Sequence, residues 1–410
     1  MNPNPRVAFF TDSFHEINGV AHTSRHFDAF VRRRGLPFLN VHAGPETNLT
    51  VEGPVSTLEL KRGSVGFSLE SDMSFDLLFL KHKRATAEVV KKFGAELIHI
   101  TGPSDVGILG AYLAHDLKLP LVASWHTNLH EFGAHRLGKT LSFVPSQVRD
   151  SITGLTEHKI ILAACLRFYR LARVILAPNL ELVEMLHERT GRPSYLMQRG
   201  VDTILFCPEK RNRQDEVLTI GYVGRLSPEK SVRFLREVEN ALIAAGVENH
   251  RLLIVGDGHE REWLEANLRR AEFTGVLAGE ALATAYANMD IFAFPSHTDT
   301  FGNVVLEAMA SGLVPVVTSS GGPKFLVADG VTGFVAQDSA SFVQYVVQLA
   351  KDHDLRARMR TRAREFALCR YWHRIFDQVY DAYHYCLNAT IPSPFRAPHP
   401  PATRSPLRVG

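Results

Sequence analysis

A chain of 410 residues, 45% hydrophobic and 22% charged, lies in the soluble globular range and is long enough for two domains. Its net charge of +3 is too small for composition to argue nucleic-acid binding, so no nucleic-acid partner is expected. The four cysteines (Cys165, Cys207, Cys369, Cys386) are scattered and form no CxxC pair. They read as small buried hydrophobes in a reducing compartment, not a disulfide frame or a zinc site.

The N-terminus shows no signal-peptide hydrophobic region and runs directly into the strand-like Val7-Ala8-Phe9-Phe10. Further short apolar runs at Leu97–Ile100, Leu121–Ser124 and Val174–Ala177 read as buried parallel strands. Helical patterns such as Ala85–Lys92 and Val106–Asp116 lie between them. No apolar run approaches the roughly 20 residues of a spanning helix. The longest, Ile160–Leu166, stops at Arg167. A cytoplasmic protein is expected, at most peripheral at the inner face of the cell membrane.

A second series begins near Leu218. Its strands are Thr219–Val223, Leu252–Val255, Ile291–Phe294 and Val314–Thr318, and its helices Val232–Ala245, Glu260–Arg270 and Val304–Ala310. The expected fold class is α/β, with two doubly wound, parallel-sheet, Rossmann-like domains facing a cleft. The expected domains are 1–200, completed by one long helix over 364–387, and 201–363. The stretch Gly200–Val217, with Pro208 and a charged run, is the expected boundary, and proline-rich 388–410 is an expected disordered tail.

Ligands of such sheets bind in the loops after the strands, so those loops carry the chemistry. Asn18-Gly19 follows the first strand and opens a helical run, either as an ordinary Asn-Gly turn or as a helix start facing an anion. No GxGxxG is present, which argues against a dinucleotide oxidoreductase. His126 ends the third strand and is either a structural hydrogen bonder or a polar group at a site. Gly224-Arg225-Leu226-Ser227-Pro228-Glu229-Lys230 sets two cations on a loop entering a helix, able to neutralise a diphosphate. Val255-Gly256-Asp257-Gly258 allows a tight turn, with Asp257 as a local cap. The most informative segment runs from Phe294 to Gly312. Asp299 lies on its loop, and Gly302, Asn303 and Val304 open a helix whose free N–H groups suit phosphate. Glu307 follows in that helix among apolar residues, where an unpaired carboxylate is costly, so a partner is expected. Ser319-Ser320-Gly321-Gly322-Pro323 and Asp329-Gly330 read as loops at the rim.

In the order and spacing of these segments, the chain resembles the retaining glycosyltransferases of family 4, which have the two-domain GT-B fold. The resemblance spans roughly Arg6 to Tyr385 and is most specific in the second half. The opening Thr11-Asp12-Ser13-Phe14, with Asn18-Gly19-Val20 and His126-Thr127, resembles bacterial mannosyltransferases and glycolipid synthases. The resemblance implies that Arg225 and Lys230 hold the donor diphosphate and that Glu307 binds the nucleotide ribose. It implies that Asp299, at the first position of an E-x7-E pattern, takes sugar hydroxyls. Phe301, Gly302, Asn303 and Val304 would line the sugar and phosphate site. Gly19 would let the N-terminal domain close on the phosphates, and His126 would lie beside the reacting sugar. Asp299 is one methylene shorter than the usual Glu, and Lys324-Phe325 stand where the family often carries an acidic residue.

The implied activity is retaining transfer of a hexose, of mannose or glucose type, from a nucleotide-diphosphate sugar to a lipid or glycan hydroxyl. No cofactor or metal is expected, because cations and helix dipoles carry the phosphate charge. Asp352-His353-Asp354 reads as solvated surface. The mixed basic and apolar stretch Asn128–Leu171 is expected to set the acceptor and is read equally as a membrane contact or as plain surface. The alternatives are a nucleotide-sugar epimerase or phosphorylase on the same architecture, and a non-catalytic nucleotide-sugar-binding subunit.

Overall fold

The structure is a computed structural model. It describes residues 4–16, 18–63, 66–70, 73–76, 79–126 and 160–388. Of the expected tail over 388–410, Asn388 is helical and 389–410 lie outside the described residues, as does most of the expected acceptor stretch Asn128–Leu171, over 128–159.

The chain divides into two compact units, Met1–Met197 with Phe376–Gly410, and Gln198–Ile375. The first is built on an eight-stranded sheet. Its order is Ser194–Leu196, Val174–Ala177, Leu121–Ser124, Leu97–Ile100, Val7–Thr11, Phe38–Gly44, Val55–Lys61 and Asn48–Glu52. All neighbours are parallel except the last pair, an antiparallel hairpin at the edge. Strand order reverses at Val7–Thr11, from which the chain builds outward on both sides. The central strands are buried and mostly apolar because helices cover both faces. Asn18 starts the first helix, Gly19–Arg34, by accepting from Ala21 N at 2.9 Å, and Ser104 starts Asp105–Asp116 by accepting from Gly107 N at 3.1 Å.

The expected single helix over 364–387 is corrected. The chain forms His353–Leu368, breaks at Cys369–Tyr371, and resumes as Trp372–Asn388. The change of unit falls inside that last helix. From Phe376 onward it packs on the first sheet's core. Phe376 stacks on Phe27 with ring centres 4.4 Å apart, and the Tyr383 hydroxyl meets His99 Nδ1 at 2.6 Å. His99 Nε2 meets Ser124 Oγ at 2.6 Å. Burial pushes the His99 imidazole down to about 3, so it stays neutral and offers one donor and one acceptor to the two hydroxyls.

The second unit carries a six-stranded, wholly parallel sheet. Its order is Ala271–Gly275, His250–Val255, Leu218–Val223, Ile291–Phe294, Val314–Thr318 and Phe334–Ala336. The expected helix Glu260–Arg270 is shorter, Arg261–Asn267, because the chain turns at Leu268 to enter the edge strand Ala271–Gly275. The expected helix Val232–Ala245 begins as a 3-10 turn before Leu235–Ala244. All four cysteines are free thiols. Cys165 and Cys386 are buried as expected, but Cys369 is exposed in the break between the last two helices. No described helix is long and apolar enough to cross a membrane.

Tyr383→Phe strands a buried imidazole nitrogen. It is expected to lower stability by about 1–3 kcal/mol in urea unfolding, and an unchanged midpoint would show that His99 does not depend on that hydroxyl.

Candidate active site

In the second sheet, strand order reverses at Leu218–Val223, which lies between His250–Val255 and Ile291–Phe294. The carboxyl ends of Leu218–Val223 and Ile291–Phe294 therefore border the sheet's binding crevice. They carry the loops of Arg225 and Lys230 and of Asp299 to Val304.

The first loop is held main chain to main chain. Gly224 N donates to Val255 O at 3.0 Å, and Leu226 N to Asp257 O at 2.9 Å. A β-carbon on Gly256, at φ 134°, would stand 2.0 Å from Gly224 O, and one on Gly258, at φ 152°, 2.3 Å from Leu226 O. Glycine is required at both positions by space and by backbone angle. The Asp257 side chain bonds Gly258 N and pairs with Arg261, while Glu260 occupies the cap position of the following helix, so the expected cap role is corrected. The Tyr222 hydroxyl donates to Arg225 O at 3.0 Å and fixes the turn.

Lys230 closes the 3-10 turn Pro228–Lys230, and its Nζ donates to Asp299 Oδ1 at 2.8 Å. Both side chains are about four-fifths covered, at 18% and 20% exposure. Asp299 Oδ2 is buried without a hydrogen-bond partner, as are Asn303 Oδ1 and Ser296 Oγ. These unsatisfied atoms are where a polar ligand gains most.

The helix Asn303–Ala310 starts from Gly302 at φ 90°, with no side-chain cap. Its first N–H groups have no acceptor within the helix, which leaves them for an anion. Phe301 is buried beneath the turn. Glu307 is partly buried, and Oε2 accepts from the Tyr286 hydroxyl at 2.9 Å. Burial pushes its carboxyl up to about 7, against that hydrogen bond. The loop is clamped from the other side. Gly322 N donates to Asp299 O at 2.6 Å, and a β-carbon on Gly322 would stand 2.1 Å from Thr300 O.

Arg225, Lys230, Asp299, Phe301, Gly302, Asn303, Val304 and Glu307 all belong to the second unit, where Lys230 and Asp299 meet directly. Gly19 and His126 belong to the first unit. Gly19 begins a helix capped by Asn18, and His126 is buried just beyond Leu121–Ser124; its expected companion Thr127 lies outside the described residues. Asp352 is the cap of His353–Leu368, accepting from Leu355 N, and both acids of Asp352-His353-Asp354 are exposed. Among the described residues, no three His, Cys, Asp or Glu side chains gather as a metal-binding group. Tyr286 and Tyr222 were missed by the sequence reading. Neither lies in a motif, and only packing brings them to the site.

A GDP-mannose-dependent alpha-mannosyltransferase of Mycolicibacterium smegmatis is 32% identical over 304 residues, covering 72% of this chain and 75% of that protein. The chain belongs to glycosyltransferase family 4. Residues 61–205 match the profile "Glycosyltransferase Family 4", and residues 217–352 match "Glycosyl transferases group 1". An alpha-monoglucosyldiacylglycerol synthase of Streptococcus pneumoniae is 25% identical over 323 residues, 76% of this chain and 70% of that one. The fold matches a sucrose-phosphate synthase from Thermosynechococcus elongatus with a TM-score of 0.70 at 20% identity, over 93% of this chain and 98% of that one. The chain is accordingly a glycosyltransferase of GT-B architecture, a hexosyltransferase using a nucleotide sugar and a lipid or glycan acceptor. The epimerase, phosphorylase and non-catalytic readings fall away.

Two predictions follow the geometry. Gly322→Ala should displace the Asp299–Gly302 loop and weaken nucleotide-sugar binding by roughly tenfold or more in calorimetry, since a backbone clash cannot relax locally. For Glu307 the folded carboxyl titrates near 7 against 4.5 for the free group, so the folded state binds the extra proton. Its stabilising share is present below about 4.5 and lost as pH rises towards 7. Glu307→Gln should remove about 1–3 kcal/mol of that fall in thermal unfolding between those limits; an identical pH profile in both proteins would contradict the assignment.

Proposed function

We propose that this enzyme transfers mannose from GDP-mannose to a lipid hydroxyl with retention of anomeric configuration. The reading is carried by one observation: Lys230 and Asp299 are joined across adjacent strand ends beside the uncapped helix start at Gly302–Val304. A sugar diphosphate laid there meets cations and N–H groups at its phosphates and a carboxylate at its hydroxyls. The donor is favoured by the mannosyltransferase relative, and the lipid acceptor by the diacylglycerol relative.

Arg225, Lys230 and the N–H groups of Gly302, Asn303 and Val304 take the diphosphate. Glu307 takes the ribose. Asp299 exchanges part of its bond to Lys230 for sugar hydroxyls, and Asn303 adds a polar contact. Phe301 walls the sugar. From the first unit, Gly19 and His126 are the residues assigned to the donor. As the bond from the anomeric carbon to the diphosphate oxygen breaks, the acceptor oxygen bonds to that carbon on the same face. The acceptor's proton passes to the departing diphosphate. Fixed cations and helix dipoles stabilise that charge, and no metal is assigned a role. The reaction is placed in the cytoplasm, with peripheral contact at the inner face of the cell membrane. Free thiols suit that compartment, and a lipid acceptor requires a surface.

GDP-mannose should raise the thermal midpoint where UDP-glucose and ADP-glucose do not, by mass action worth about 2.7 kcal/mol at a hundredfold excess over Kd. Lys230→Gln keeps a donor for Asp299 but removes the charge. It should cut GDP release from GDP-mannose by roughly 100- to 1000-fold with the fold intact, and a chelator should leave the wild-type rate unchanged. Undiminished turnover by Lys230→Gln would refute the site.

A further inference from the structure

The first sheet has its own point of strand-order reversal, between Val7–Thr11 and Leu97–Ile100. The chain leaves Val7–Thr11 directly into Asp12, and Leu97–Ile100 into Thr101-Gly102-Pro103-Ser104. Of the residues assigned to the donor, Gly19 alone follows one of these two strands, at the far end of the loop that Asp12 begins.

Asp12 is placed there with some care. Its backbone N donates to Thr101 Oγ1 at 2.8 Å. The Ser104 hydroxyl donates to Oδ1 and accepts in turn from Gly107 N at 3.1 Å, so one serine both caps the helix and fixes the carboxyl. A β-carbon on Gly102 would stand 2.4 Å from Asp12 Oδ2, and one on Gly107 1.8 Å from Gly102 O. Glycine at these positions lets the helix start descend onto the strand ends and leaves room for the Asp12 carboxyl itself, which the Ser104 hydroxyl holds at Oδ1 while the residue stays partly exposed.

We propose that Asp12 is a substrate-contacting residue of the first unit, whose partly exposed carboxylate holds a hydroxyl of the acceptor. The assignment rests on the glycosyltransferase reading above. A carboxyl group beside a sugar diphosphate would be repelled by it, whereas a neutral hydroxyl is the ligand such an oxygen binds best. The donor's polar anchors are all supplied by the second unit except for Gly19 and His126. A reversal point in the first sheet therefore falls to the other substrate.

The neighbours set how Asp12 titrates. Burial pushes its carboxyl up to about 7, the Ser104 and Thr101 hydrogen bonds oppose this, and Asp105 adds to it. Arg62 also opposes the rise, but its guanidinium is shared with Asp105 at 3.5 Å and Glu16 at 3.6 Å. Tyr169, from the helix over 160–169, faces it as a neutral phenol bonded to Ser124 O. Asp12 thus exchanges its proton near neutral pH, and its hydroxyl-accepting form is the ionised one. Transfer should fall as pH drops below about 7, with the acid limb belonging to the acceptor's kcat/KM.

The test uses the full-length enzyme, GDP-mannose, and phosphatidylglycerol vesicles carrying diacylglycerol. For Asp12→Asn, the apparent KM for diacylglycerol should rise roughly 10- to 100-fold, with the GDP-mannose KM within about twofold of wild type. The acid limb should vanish. Ser104→Ala serves where the asparagine variant folds poorly. It removes a hydrogen bond to the ionised form, so the limb should persist with its midpoint moved up. A merely structural Asp12 would lower the unfolding midpoint and leave the acceptor KM and the pH limb where they were. That result, or equal loss for both substrates, overturns the assignment. A wild type inert towards both substrates overturns the functional reading instead, and the Asp12 role with it.

Discussion

The close approach of Gly322 to the Thr300 carbonyl is the constraint on which the candidate active site depends. No side chain fits between these two stretches of backbone, and the Gly322 N–H is spent on Asp299 O at 2.6 Å. This locks the loop after Ile291–Phe294 in one path. On that path Asp299 turns towards Lys230, Gly302 takes the left-handed conformation, and the next helix opens without a cap. A capped helix would spend its first N–H groups internally and have fewer to offer a phosphate.

The same device recurs on the neighbouring strand. Gly256 and Gly258 admit the Gly224–Leu226 backbone, which seats Arg225 and sets the turn into Lys230. Two buried strands thus deliver rigid loops, each braced by glycine, and the polar groups that face a ligand are held at both ends. The cost is visible in the unsatisfied atoms of Asp299, Asn303 and Ser296, and in a Glu307 carboxyl held near neutrality by burial. Such groups are tolerated where a ligand repays the lost hydrogen bonds.

The first unit is organised around its final helix. Phe376 and Tyr380 cover Phe27 and Phe30, while Tyr383 ties the helix to the sheet through His99 and Ser124. The helix closes a core whose strands lie far earlier in the chain, with 284 positions from His99 to Tyr383. That separation explains why the sequence reading joined two helices into one. Cys369-Arg370-Tyr371 contains neither glycine nor proline, and the break there is imposed by packing on both sides.

The sequence by itself determined the strands that carry the site. Four-residue apolar runs such as Leu97–Ile100 and Ile291–Phe294 can only be buried on both faces, and the loops after them hold the cations, acids and glycines in a recognisable order. Edge elements such as Asn48–Glu52 and Ala271–Gly275 were not separately legible, because exposure and mixed composition weaken their period. Tertiary structure alone decided which groups meet. Tyr286 reaches Glu307 from a helix 21 residues away in sequence, Ser104 reaches Asp12 across 92, and Lys230 finds Asp299 across 69. Those pairings depend on which strands lie side by side in the sheets, and strand order is not written in any local pattern.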